Sequence, residues 1–298
     1  MSNRLRKVSD LLCCPDDGER LIYANDLSCS RCGRTFPAIA DDFVEVLPKQ
    51  PTSLPPSVSE DYRHAYLRLF NEPIHDSSRE LAWGAEESAA ASWMRKRLRQ
   101  VNALSQLVVD GAAENKSVLC DFAAGAGHYT RAYAQHFRWV LHCDLSASNL
   151  AYCREKAKIG NFKNIIFLRI DYFNPPFRNS LDRLICLDTI IRGEEHDQLL
   201  LQSIARSMRP DGRAIIDFHN WWHNPLRRVG LLKENFTSNK SYSRKSAETL
   251  LNDAGIKRFA YYPFYQECDS NGFWSELYKH LIPPTRLIYS LADSSLVC

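Results

Sequence analysis

Between residues 117 and 218 five short apolar runs recur: 117–121 (SVLCD), 138–144 (RWVLHCD), 164–171 (NIIFLRID), 181–188 (LDRLICLD) and 213–218 (RAIIDF). Each is too short for a core helix and is bounded by turn residues, so each reads as a buried strand. Helical spacing occupies residues 128–135, 147–157 and 195–208 between them. Strands alternating with helices require right-handed crossovers and a parallel sheet covered on both faces. The expected fold is therefore α/β and doubly wound, with its ligand beyond the carboxyl ends of the strands.

Two local features narrow the ligand. The turn after the first strand, Phe122-Ala123-Ala124-Gly125-Ala126-Gly127, has glycines that let backbone approach a bound group. Asp144 closes the second strand, where a carboxylate can accept both hydroxyls of a ribose. The dinucleotide pattern fits poorly, because position 130 is Thr130 and Asp121 precedes the loop.

The N-terminus carries a different chemistry. Cys29-Ser30-Arg31-Cys32-Gly33 is a metal knuckle, two thiolates three apart followed by a glycine for the tight turn. Cys14-Pro15-Asp16-Asp17-Gly18 mirrors it with Asp17 in place of the second cysteine. Cys14, Asp17, Cys29 and Cys32 could close a tetrahedral zinc site, since carboxylates also ligate zinc. Cys13 is a spare thiol that could substitute, and the alternative is a ribbon that keeps its fold without metal. So small a segment has little core of its own, which favours a metal staple.

Of ten cysteines, four crowd into residues 13–32 and most others sit in apolar runs, which indicates a metal site in a reducing compartment rather than a disulfide framework. With no apolar run long enough for a signal peptide or a membrane span, a cytoplasmic location is expected. The net charge of +3 is too mild to argue for nucleic acid, and residues 1–48 hold six Lys/Arg against eight Asp/Glu. The expected division is a zinc-ribbon-like module at 1–48, a proline-rich linker at 49–58 and one large domain at 59–298. Within the last, 59–115 is helical, 116–265 is the nucleotide-binding core and 266–298 adds closing elements. Residues 221–245 interrupt the alternation with six Lys/Arg against one Glu, as a lid that attracts an anionic group would.

Taken in order, Asp121-Phe122-Ala123-Ala124-Gly125-Ala126-Gly127-His128-Tyr129-Thr130, Asp144-Leu145-Ser146, Asp171, the span 204–212 (IARSMRPDG) and the span 242–255 (YSRKSAETLLNDAG) resemble the motifs of class I S-adenosylmethionine-dependent methyltransferases. Leu11-Leu12, Cys14-Pro15, Cys29 to Gly33, Phe36-Pro37 and Val46-Leu47-Pro48 resemble the zinc ribbons that act as tRNA-methyltransferase activators. The resemblance implies a seven-stranded Rossmann-like sheet behind a ribbon, with S-adenosyl-L-methionine as cofactor and a structural zinc. It implies a cofactor site of Asp121, Ala123, Gly125, Gly127, Tyr129, Thr130, Asp144, Leu145, Asp171, Tyr172 and Asp188, with Asp171 near the adenine.

For the transfer itself, His219 and His223 after the fifth strand are the expected bases. Trp221, Trp222, Arg227 and Arg228 are the expected substrate contacts, and Tyr129 or Trp221 could shield the sulfonium. His196 reads as part of a helix start. Asn174-Pro175-Pro176-Phe177 spells the tetrapeptide of amino-group methyltransferases, yet it follows the third strand rather than the fourth, so it reads as a loop. The expected substrate is an oxygen or nitrogen of a small molecule, such as a secondary metabolite or a sugar or lipid precursor. The competing readings are an RNA base methyltransferase, disfavoured by the acidic ribbon, and a non-catalytic cofactor-binding scaffold. The oligomeric state has no signature in the sequence.

Overall fold

A computed structural model describes residues 4–74, 91–110, 117–191, 193–224, 226, 229–231, 240–265, 277 and 279–292. The five apolar runs form strands β6 (Val118–Phe122), β7 (Trp139–Asp144), β8 (Ile165–Ile170), β9 (Leu181–Ile190) and β10 (Met208–His219). Between them lie α3 (His128–Tyr133), α4 (Ala147–Ile159) and α5 (Glu194–Ser207). All six side chains of β8 are buried, as a strand covered on both faces demands. Helix α4 starts at Ser146, whose hydroxyl accepts the Asn149 amide and so satisfies one of the first-turn donors.

Helix α6 (Arg244–Asp253) leads into β11 (Phe259–Phe264), and β12 (Arg286–Ala292) inserts antiparallel between β11 and β10. Two helices, α1 (Glu60–Phe70) and α2 (Ala91–Val109), precede the core.

The N-terminal segment contributes β1 (Leu21–Tyr23), β2 (Leu27–Cys29) and β3 (Thr35–Phe36), a small antiparallel sheet, then β4 (Ala38–Ala40) and β5 (Phe43–Val46). These last two do not stay with the ribbon. The large sheet runs β11-β12-β10-β9-β6-β7-β8-β5-β4, the expected seven strands β6 to β12 extended to nine by β5 and β4. Strand β5 lies parallel to β8, pairing Phe43 with Phe167 and Val46 with Ile170. The sequence conceals this because β5 follows β4 through a tight antiparallel turn, a local pattern that does not name its second neighbour.

Asn174 to Phe177 form an irregular loop, and its role is to seat the ribbon. The Asn174 side-chain amide donates to the Pro15 carbonyl at 2.8 Å, and the Cys13 amide donates to the Pro176 carbonyl at 2.9 Å. Phe173 and Phe177 are buried in one apolar core with Leu12, Leu27 and Phe36 of the ribbon. The stretch 49–58 is irregular too, and it packs Leu54 and Val58 into that core. Among the described residues no helix is long and apolar enough to cross a membrane.

Candidate active site

A cavity of 370 Å³ opens beyond the carboxyl ends of β6, β7 and β9. Its floor is the glycine turn. Ala123, Gly125 and Gly127 all take positive φ, at 56°, 55° and 72°. The Gly125 amide thereby points at Asp144 and donates to its Oδ2 at 2.7 Å. The other Asp144 oxygen accepts the Ser146 amide at 2.8 Å. Burial raises the Asp144 pKa above the ordinary carboxylate value, the amide donors oppose that, and the charge of Glu72 adds to it. Glu72 itself accepts the Ala147 amide at 2.8 Å and the hydroxyls of Ser146 and Ser148, which sets a carboxylate on the positive end of α4.

Behind the turn, the Thr130 hydroxyl donates to Asp121 at 2.5 Å and meets His142 Nδ1 at 2.8 Å. Burial holds the His142 pKa down at about 3, so the imidazole is neutral and its Nδ1–H donates to Thr130. The chain of donors fixes the orientation of Asp121 on the cavity wall.

Opposite the turn, Asp188 lies near the carboxyl end of β9 with φ of 58°. Its amide donates to Asp217 at 2.7 Å, Arg286 pairs with its carboxylate at 2.6 Å, and His219 Nε2 stands 3.8 Å away. The roof comes from α1, whose Tyr62, Tyr66 and Leu69 face the cavity, and from Tyr172.

The ribbon forms a second centre. The ligand atoms of Cys14, Asp17, Cys29 and Cys32 all lie within 4.8 Å of one another. Cys14 and Cys32 sulfurs are 3.7 Å apart, and Cys29 Sγ is 3.3 Å from Asp17 Oδ2. Tetrahedral zinc with bonds of about 2.3 Å to sulfur and about 2.0 Å to oxygen needs edges of about 3.8 and 3.5 Å, so the donor set fits that metal. Both knuckles use glycine at positive φ, Gly18 at 76° and Gly33 at 71°. Burial pushes the Cys14 thiol up to about 12, so a cation is what would bring it to the thiolate. Cys13 lies outside this cluster.

Residues 119–212 match the family model described as a methyltransferase domain. Over that span, from β6 into β10, the chain carries a methyltransferase domain.

Solved methyltransferase structures are similar to the chain in fold. Magnesium protoporphyrin IX methyltransferase from Synechocystis with bound S-adenosylmethionine superposes with TM-score 0.51 at 16% identity, over 80% of this chain and 100% of that one. A chain of the complex between the Haloferax volcanii Trm112 methyltransferase activator and a methyltransferase gives 0.51 at 14% identity, over 72% and 98%. Phosphoethanolamine N-methyltransferase 2 from Haemonchus contortus with S-adenosyl-L-methionine gives 0.46 at 17% identity over 65% of this chain. The present chain spans about half the length of that enzyme, 52%. At these identities the likeness is one of fold. No curated protein matches the chain in sequence.

In this methyltransferase domain the cavity wall gathers Asp121, Ala123, Gly125, Tyr129, Asp144, Leu145, Tyr172 and Asp188 from the expected cofactor set. Gly127 and Thr130 stand behind it as packing and orienting residues. Asp171 is turned away and fully buried. Its Oδ2 accepts the hydroxyls of Thr52 and Tyr66 at 2.6 and 2.8 Å, and its Oδ1 accepts the Phe173 amide. It anchors the stretch after the ribbon, which the sequence motif did not foresee.

His219 reaches the rim through Asp188, whereas His223 Nδ1 turns to the Pro283 carbonyl at 3.2 Å and is off the wall. Trp221 donates its amide to the Tyr242 carbonyl, Trp222 is exposed, and neither lines the cavity. Arg227 and Arg228 lie outside the described residues. Tyr62, Glu72 and His196 were not legible as site residues. The one signal available was Tyr62 and Tyr66, four apart on the helix EDYRHAYLRLF and so on one face of it.

Proposed function

We propose that the chain transfers a methyl group from S-adenosyl-L-methionine to an oxygen or nitrogen of a small molecule, with a structural zinc in its ribbon. The observation that carries this is the cavity: a glycine turn bonded to a buried Asp144, closed over by an aromatic roof in a space of 370 Å³. Such a space suits a nucleoside-sized cofactor and a compact acceptor. Bound S-adenosylmethionine supplies an electrophilic methyl on a sulfonium.

In this reading Asp144 holds the ribose hydroxyls, and the positive-φ turn lets the cofactor lie against backbone. Asp121, kept in place by Thr130, is set for the cofactor's amino group. Asp188 remains the acid at the acceptor side, steadied by Arg286. The roof of Tyr62, Tyr66 and Leu69 excludes water, which favours a displacement limited by positioning. Cys14, Asp17, Cys29 and Cys32 would hold the zinc, and none of them lines the cavity.

The test uses methyl-labelled S-adenosylmethionine with the purified chain and two fractions from its source cells, small metabolites and total RNA. Label in the metabolite fraction, lost with Asp144→Ala, is the expected result. Label in RNA instead would replace this reading by RNA base methylation. Donor binding with no label in either fraction would leave the cofactor-binding scaffold.

A further inference from the structure

His196, which in sequence looks like part of a helix start, is buried at 1% exposure beside Asp197 at 0%. Its Nδ1 lies 2.8 Å from Asp197 Oδ1, and its Nε2 lies 3.0 Å from the Tyr62 hydroxyl. A carboxylate only accepts, so Nδ1 carries the proton and Nε2 is left as an acceptor for Tyr62. The other Asp197 oxygen accepts the Tyr242 hydroxyl at 2.5 Å and the Gly193 amide at 3.2 Å, so the buried charge is solvated by fixed donors. Tyr62 and Phe173 meet the imidazole edge-on, each at 4.9 Å between ring centres, and hold it in place.

Tyr62 is the cavity end of this chain. It comes from α1, lines the wall, and its oxygen lies 2.6 Å from the Tyr172 hydroxyl on the same wall. Burial and the neighbouring Tyr62 keep Tyr172 protonated, with its pKa well above that of a free phenol, so Tyr172 donates to Tyr62. Every donor in the series thus points one way, from the cavity toward Asp197. A buried His–Asp pair costs desolvation, which the fixed donors around Asp197 offset. Neither His219 nor His223 lines the cavity, whereas Tyr62 does.

We propose that Tyr62 receives the acceptor's proton during methyl transfer, with His196 and Asp197 behind it as the groups that draw the phenolic proton away. This rests on the methyl-transfer reading above. The acceptor's lone pair forms its bond to the methyl carbon while the carbon–sulfur pair stays on sulfur. The acceptor's proton passes to the Tyr62 oxygen, and the Tyr62 proton passes to His196 Nε2. Asp197 stabilises the resulting imidazolium, which later returns one proton to solvent through the same hydroxyl. Charge balances: one sulfonium is lost and one imidazolium gained. The acceptor class is one that must lose a proton, a hydroxyl or a protonated amine whose proton leaves first to free the lone pair, rather than a thioether or a tertiary amine. The charged and titratable groups that face His196 are Asp197 on α5, Tyr62 on α1, Tyr242 before α6 and, through Tyr62, Tyr172 after β8.

Two measurements test this. Nitrogen NMR of histidine-labelled protein needs no acceptor: His196 should show Nδ1 protonated and Nε2 bare, and Tyr62→Phe should shift the Nε2 resonance. An Nε2-protonated His196 would overturn the relay. The second uses methyl-labelled S-adenosylmethionine and the small-metabolite fraction, with S-adenosylhomocysteine affinity measured alongside by calorimetry. Tyr62→Phe and His196→Gln should each cut the initial rate by about 100-fold or more at near-native affinity, since general bases contribute on that order. The acid limb of the wild-type rate profile should vanish in His196→Gln, a change that a merely structural histidine would not produce. Rates within about threefold of wild type in both variants would sink the relay and leave the methyl-transfer reading standing. Absence of label with the wild-type chain in both the metabolite and the RNA fraction would overturn that reading, and the relay with it.

Discussion

Ala123 and Gly127 sit in one left-handed stretch, yet the surroundings of their Cα atoms differ. A Cβ on Gly127 would lie 2.1 Å from Cys153 Sγ and 3.0 Å from the His142 ring, both buried and unable to retreat. Gly127→Ala should therefore destabilise the fold by about 3 kcal/mol, from overpacking together with the positive φ. Ala123 already bears a Cβ at φ 56° and carries the left-handed penalty without the clash. Ala123→Gly should raise stability by about 0.5 kcal/mol, the strain relieved less the extra freedom given to the unfolded chain. Denaturant midpoints at constant slope decide both, and a Gly127→Ala protein as stable as wild type would mean that the turn is not packed as described.

At the level of elements, the ribbon shows what one carboxylate in place of a thiolate does. Asp17 has cysteine-like placement, 3.3 Å from Cys29 Sγ, and its pKa is lowered by the Glu19 amide first and the neighbouring thiols after it. Asp17→Cys should tighten zinc about tenfold or more, because thiolate is the softer and stronger donor, and Asp17→Ala should weaken it by a similar factor. Competition against a chromophoric chelator reads both; equal affinities in all three would show that residue 17 is not a ligand. The same scale separates what the sequence disclosed from what it withheld. Strands β6 to β10, the glycine turn and the two knuckles were legible because each is a local pattern of a few residues. The nine-stranded sheet was not, since β5 meets β8 across more than a hundred residues of chain. Nor was the Tyr62–His196 contact, for which α1 must lie across the ends of the strands first. The Asn174-Pro175-Pro176-Phe177 loop falls between: its spelling suggests chemistry, its position in the strand order denies it, and only the contacts with Pro15 and Cys13 give it a purpose.

At the scale of the whole molecule, the ribbon is built into the methyltransferase body rather than hung from it. Arg169 on β8, almost fully buried, donates to the Leu145 carbonyl beside Asp144, to Glu45 of β5 at 2.6 Å, and to the Leu69 and Phe70 carbonyls that end α1. One guanidinium thus joins the ribose-side loop, the inserted strand and the roof helix, which a lysine with a single point of charge could not do. Without β5, the all-buried β8 would become an exposed apolar edge, the kind that pairs with other chains. Shared core residues such as Leu12, Phe36, Phe173 and Phe177 leave the ribbon no separate interior to melt around. Metal release and loss of helix should therefore occur together when the zinc-loaded chain is unfolded in denaturant, with coincident midpoints by chelator absorbance and by circular dichroism. Arg169→Leu should lower both midpoints together, by about 3 kcal/mol, since it removes a buried cation and leaves three carbonyls and a carboxylate without their donor. If the metal is released at a clearly lower denaturant concentration than the helix is lost, the ribbon is an autonomous module and strand β5 does not bind it to the body. If the midpoints coincide and move together in Arg169→Leu, occupancy of a site formed by Cys14, Asp17, Cys29 and Cys32 stabilises the sheet that carries Asp144, and the ribbon supports the methyltransferase cavity from within the same chain.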